Sequence, residues 1–193
     1  MKALVCKEFG PAKNLKVEEI PEPVLNDDEV NIKVHAAGVN FPDILMVEGK
    51  YQFKPNFPFA PGAEAAGEII SLGKNVTDFK VGQRVIAMTG HGSFAEIVKA
   101  PQKKIIPLSD KVDYEVASIL PMVYGTSAHA LIQRGKLKNG ETLLVHGAAG
   151  GVGLAAVEIG KAMGARVIAT ASTDEKCNVA KEHGADEIIN YSN

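Results

Sequence analysis

The chain has 193 residues, 46% of them hydrophobic, with a formal net charge of −2 and two cysteines. That length holds one large domain or two modest ones. The balanced charge, with no basic stripe, leaves no expectation of a nucleic-acid partner, and no run approaches the ~20 apolar residues of a membrane span. The first residues lack the apolar core of a secretory signal. Cys6 and Cys177 match neither a metal spacing nor a disulfide framework, so a reduced, cytoplasmic setting is expected.

In chain order, short β-type runs at 2–7, 15–19, 29–37, 65–72, 84–88 and 94–99 are separated by Gly, Pro, Asn and Asp. Val30, Ile32 and Val34 alternate with Asn31, Lys33 and His35, the pattern of a half-buried strand. Eight of the ten prolines precede position 102, which favours turns and edge strands over helices. These features predict a small, irregular, barrel-like β domain. From Tyr114 the pattern turns helical: Asp113 or Ser109 caps a short helix, and Pro121 opens another over 122–133. The boundary is placed so that 1–121 form one domain and 122–193 the next.

The second domain carries the most informative segment. An apolar strand (142–146) empties into a glycine turn (147–153), followed by an alanine-rich helix (154–163) and a second apolar strand (166–171). This is a βαβ unit, and its turn aims free N–H groups and the positive end of a helix dipole at an anion such as a dinucleotide pyrophosphate. The fingerprint G-x-G-x-x-G reads Ala148, Gly150 and Gly153, with Gly147 and Gly151 besides. Gly150 is expected to let the backbone approach the phosphates and Gly153 to let helix and strand pack closely. The candidate cofactor-binding residues are therefore Ala148, Ala149, Gly150, Gly151, Val152 and Gly153.

The second strand ends in Ala171-Ser172-Thr173 without the carboxylate that would bond a ribose 2′-hydroxyl. Ser172 can donate to a 2′-phosphate, Lys176 can supply charge, and Asp174 is read as the cap of the next helix. NADPH is thus the expected cofactor. A third strand begins at 187, whereas a doubly wound sheet has about six. On the order of 100 residues of such a sheet are missing at ~30 residues per βαβ unit. The chain reads as cut at its C-terminus, and if Asn193 is its end, weak or absent NADPH-dependent reduction is expected of it.

Five motifs in order, AAGVNFPD (36–43), PGAEAAG (61–67), GSFAEIV (92–98), YGTSAHAL (124–131) and GAAGGVG (147–153), make the chain resemble the zinc-independent quinone oxidoreductases of the medium-chain dehydrogenase/reductase superfamily, the zeta-crystallin-like group. The resemblance implies a GroES-like β-barrel catalytic domain followed by a partial Rossmann domain, a doubly wound parallel sheet, with the active site in the cleft between them. Zinc-dependent relatives place a Cys where Asn40 stands and a His where Ala63 stands, so no metal is expected. His35, His91 and His129 are read as structural or surface residues, and Glu64 as a structural carboxylate.

By the same resemblance, the chain is expected to be an oxidoreductase that transfers hydride from NADPH to a quinone or an α,β-unsaturated carbonyl. Asn40 would donate its amide to the substrate carbonyl, Tyr51 would line the substrate cleft, and Thr126 would contact the nicotinamide carboxamide. The plainer readings stay open: a loop Asn bonding its own backbone, an aromatic packing a loop, and a helix-turn threonine. A nucleotide-binding relative without turnover (a sensor or structural protein) and an enoyl-thioester reductase are the alternatives. Full-length relatives imply a homodimer formed through Rossmann edge strands.

Overall fold

The computed structural model describes residues 1–192, which divide into two compact units, Met1–Ile119 and the chain from Leu120 onward.

In the first unit, β1 (Lys2–Val5) and β2 (Lys16–Glu19) form an antiparallel pair. The strands β3 (Glu29–Ala37), β4 (Glu64–Leu72), β5 (Arg84–Met88), β6 (Ile97–Pro101) and β7 (Ile105–Pro107) form an antiparallel sheet in the order β6-β3-β4-β5-β7. The alternation read in β3 holds from Ile32 to His35, whereas Asn31 is buried between Val30 and Ile32; Val30 and Ile32 are fully buried, together with Ile69 of β4 and Val85 of β5. Fully burying a side chain of this kind contributes about 1.5–3 kcal/mol, so these four anchor the unit. Residues 94–96 were expected to begin β6. Instead Ala95 lies opposite Ala3 of the first strand, and Glu96 links both sides, its N–H to Lys2 O and its carbonyl to Val34 N–H of β3. The three-residue β7 was not expected; pairing with β5 defines it.

Two α-helices belong to this unit. The helix α1 (Phe41–Val47) interrupts a region read as strands and loops. Its start is local chemistry. Asn40 is the N-cap, and the Asp43 carboxylate three residues on accepts the Asn40 N–H at 2.8 Å. The short helix α2 (Tyr114–Ala117) is held from both sides: the Tyr114 ring stacks on His35 at 4.4 Å and lies under the Arg84 guanidinium at 4.3 Å. Asp113 occupies its N-cap position without a side-chain cap bond.

The second unit starts with α3 (Leu120–Ala128), continued by a π-helical segment, His129–Arg134. Then follow β8 (Thr142–His146), α4 (Gly151–Ala162), β9 (Arg166–Ala171), α5 (Asp174–Glu182) and β10 (Glu187–Asn190). The three strands are parallel in the order β10-β9-β8. Val145, Val157, Val167 and Ala169 form their buried core. The helix α4 begins three residues before the expected position. Gly150 sits in an extended conformation as N-cap, and Leu154 N–H bonds its carbonyl at 2.8 Å, so Gly151, Val152 and Gly153 are the first helical turn. Asp174 is not the cap of α5. Thr173 is, accepting the Lys176 N–H at 3.3 Å, because its side chain precedes the first turn whereas Asp174 is already inside it.

Together these elements make a GroES-like β domain followed by part of a Rossmann-type parallel sheet. No helix among the described residues is long and apolar enough to cross a membrane.

Candidate functional site

The glycine turn separates two duties that the sequence leaves mixed. A Cβ on Gly153 would fall 2.5 Å from the Gly147 carbonyl oxygen and 2.8 Å from the Ala148 Cα, so the strand-to-helix turn closes only over glycine there. A Cβ on Gly150 would meet only the Gly147 oxygen, at 3.5 Å, an ordinary contact. Its φ of −83° suits any residue. Nothing in the protein's own packing calls for glycine at 150, and open space lies beside it.

That space is a hollow of about 230 Å³ bordered by Gly147, Ala149, Gly150, Ser172, Lys176 and Tyr191. The Gly151, Val152 and Gly153 amides precede the first intrahelical bond of a twelve-residue helix, the position where N–H groups and the helix dipole attract an anion. Ala148 is fully buried and its N–H bonds Thr170 O at 3.0 Å, so this residue shapes the turn from behind. At the far rim the Lys176 ammonium donates to Ser172 Oγ at 3.2 Å. Asp174, between Ser172 and Lys176 in sequence, accepts from the Asn190 amide at 2.7 Å. The donor set is backbone N–H, a hydroxyl and an ammonium, with no carboxylate on the hollow's wall, and it fits a phosphorylated ligand. Tyr191 was not anticipated. It directly follows β10, at the carboxyl edge of the parallel strands where such ligands sit, and its place after the third expected strand was the available signal.

The other three candidates lie as follows. The half-buried Asn40 donates its Nδ2 to Glu64 Oε1 at 2.8 Å, and Glu64 is fully buried. Asp43, 3% exposed, is the buried acid of the same corner. Burial pushes its carboxyl above the ordinary aspartate value, against the Asn40, Gly62 and Ala63 amides that pull it down. Oδ2 takes the Asn40 N–H, while Oδ1 makes no hydrogen bond of normal geometry. Tyr51 packs partly buried against Cys6, Met46, Val47 and Phe59. Thr126 is exposed on α3 of the second unit, next to Ser127, whose hydroxyl donates to Val152 O at 2.7 Å. Asn40 and Tyr51 thus belong to the first unit, and Thr126 to the second with the hollow.

Of the histidines, His91 lies between Phe53 and Phe59, where burial lowers its pKa, and His129 pairs with Gln133 at 2.6 Å.

Comparison with known families decides the ancestry. The family model described as "Alcohol dehydrogenase GroES-like domain" matches residues 26–110, and that described as "Zinc-binding dehydrogenase" matches 151–193. Both segments are similar to the medium-chain dehydrogenase/reductase superfamily. The chain is 39% identical over 193 residues to the quinone oxidoreductase of Homo sapiens, covering 99% of this chain and 59% of that one. The structure of Pseudomonas syringae pv. tomato quinone oxidoreductase superposes with a TM-score of 0.92 at 36% identity, over 99% of this chain and 59% of the other. Escherichia coli quinone oxidoreductase complexed with NADPH gives a TM-score of 0.91 at 30% identity, with the same coverages. The chain thus spans somewhat over half the length of these relatives.

Proposed function

We propose that this protein binds NADPH at the glycine turn and is an oxidoreductase that delivers hydride to a quinone or an α,β-unsaturated carbonyl without a metal. The observation that carries the reading is the pairing of an open Gly150 beside the free N-terminus of α4 with the Lys176–Ser172 pair across the same hollow. The α4 amides would hold the pyrophosphate, and Lys176 and Ser172 the 2′-phosphate. When bound, the reduced nicotinamide supplies the hydride.

The metal-free part of the reading rests on residue identity. Asn40 and Ala63 offer neither thiolate nor imidazole. A quinone or conjugated carbonyl accepts hydride with less polarisation than an alkoxide-forming reaction requires. An amide carries two N–H donors, and Glu64 takes one from Asn40. We assign the second to the acceptor's carbonyl oxygen. Tyr51 would flank the acceptor, and Thr126 would take the carboxamide of the cofactor.

The test is to titrate the chain with NADPH and NADH, then follow loss of reduced-nicotinamide absorbance with benzoquinone and with cyclohexenone. Saturable NADPH binding is expected, with quinone or enone consumption that is weak but measurable. Binding without consumption of either acceptor would instead indicate a nucleotide-binding relative, and absence of binding would end the reading.

A further inference from the structure

A hollow of about 590 Å³ lies within the first unit, and neither Asn40 nor Tyr51 borders it. Ile97, Lys99 and Pro101 alternate along β6, so one face of that strand forms a wall of the hollow. At ~3.3 Å per residue this wall runs for about 13 Å. Aromatic rings border the hollow on one side, and ammonium groups border it on another.

The rings come from the 53–59 segment and from His91. His91 stacks on Phe53 with centroids 5.9 Å apart and meets Phe59 edge-on at 6.2 Å. Phe59 is buried and fixed by reciprocal backbone hydrogen bonds with Cys6, whereas Phe53 is 54% exposed and keeps aromatic area to bury. His91 makes no hydrogen bond among the described residues, so its ring nitrogens are unspent. The ammonium side is built on Lys99, which donates to Val24 O at 3.2 Å and to Glu29 Oε2 at 2.9 Å. An ammonium has three N–H donors, so one remains. Lys104 is exposed and has neither a hydrogen bond nor an ion pair among the described residues. The charged side chains bordering the hollow are Lys54, Lys99, Lys104 and Glu29, three cations against one carboxylate that is already paired. No arginine borders it and no α-helix begins there, so the usual means of gripping a phosphate are missing from its wall.

We propose that this hollow is a second small-molecule site, for an aromatic carboxylate whose ring lies against Phe53 and His91 and whose carboxylate is taken by the remaining N–H of Lys99 and by Lys104. The surplus of cations selects an anion, and the open Phe53 ring selects an aromatic body. The hollow's volume falls within the roughly 300–1,000 Å³ of small-molecule pockets. The length of the β6 wall suits an acid with two rings better than a single benzoate. Every residue invoked belongs to the first unit and none to the glycine turn, so the site is independent of the dinucleotide reading.

The experiment titrates the full chain with para-phenylbenzoate and, as a neutral control of the same shape, para-phenylbenzamide, by calorimetry at neutral pH and low ionic strength. Saturable binding of the acid is expected, with the benzamide about tenfold weaker, the scale of one charge-assisted hydrogen bond. Phe53 and Lys104 are exposed, so Phe53→Ala and Lys104→Ala should melt like the wild type. Each should weaken the acid by about threefold or more, whereas Lys176→Ala should leave its affinity unchanged. Absence of saturable binding, equal affinities for acid and benzamide, or a folded Phe53→Ala or Lys104→Ala matching the wild type would overturn the site. Loss of binding in Lys176→Ala would move the probe to the glycine turn and overturn it as well. If a variant fails to fold, the comparison of acid and benzamide on the wild type decides.

Discussion

Gly153 and Gly147 stand so close that a Cβ on Gly153 would lie 2.5 Å from the Gly147 carbonyl oxygen, whereas Gly150, between them, has room for a side chain. The two glycines at 150 and 153 therefore predict opposite phenotypes. Gly153→Ala should destabilise the second unit by about 1–3 kcal/mol, the cost of overpacking a closed turn. Gly150→Thr, which keeps an N-cap residue of similar preference, should leave the melting temperature near wild type and weaken NADPH binding at least tenfold, because its side chain fills the hollow. Thermal melts and ligand titrations on the two variants separate these outcomes.

Lys176 and Ser172 lie on the hollow's rim, so cofactor preference should depend on them. Lys176→Ala is expected to weaken NADPH binding about tenfold, the scale of one charge-assisted hydrogen bond, with NADH binding unchanged. Equal losses for both nucleotides would place the 2′-phosphate elsewhere.

Asn40 donates to a carboxylate that is fully buried. Asn40→Asp would set a second carboxylate against Glu64, with an expected loss of roughly 2–4 kcal/mol at neutral pH. The loss should shrink on acidification, since the introduced carboxyl, once protonated, regains a donor toward Glu64. Urea denaturation of the variant at neutral and acidic pH tests both the size and the sign.

Asp43 binds its proton more tightly in the folded chain than in the unfolded one, because burial outweighs the three amides around it. For an acid shifted upward, the folded state holds the extra proton in the window between the two pKa values. Stability contributed by this group therefore falls as pH rises from the ordinary aspartate value through the folded one. Asp43→Asn has no such ionisation. The wild type should lose stability relative to Asp43→Asn as pH rises through that window, and a difference independent of pH would contradict the assignment.

Much of the architecture was legible in the residues. The strands at 29–37, 84–88, 142–146, 166–171 and 187–190 were read with the boundaries they have, because each is an apolar or alternating run bounded by turn formers. Helix α1 departs from the loop expected there: Asn40-x-x-Asp43 is its capping signal, while the surrounding prolines favour turns. Helix α4 starts earlier than its sequence suggests because Gly151, Val152 and Gly153 carry the signal of a turn, whereas the bond from Leu154 to Gly150 makes them helix.

Within the candidate site, sequence determined what is local in the chain. The glycine turn between two strands, Ser172 and Lys176 one helical turn apart, and the absence of a carboxylate in the last two positions of β9 and at Ser172 are all readable from spacing. Tertiary structure decided what depends on distant residues meeting. Tyr191 reaches the hollow's rim only because β10 pairs beside β9, and Glu158 joins Tyr124 to His183 only because α3 and α5 pack on α4. It also decided that Gly150 is open and Gly153 closed. Spacing along a chain records which residues share an element; which of them touch is set by packing, a property of the folded molecule as a whole.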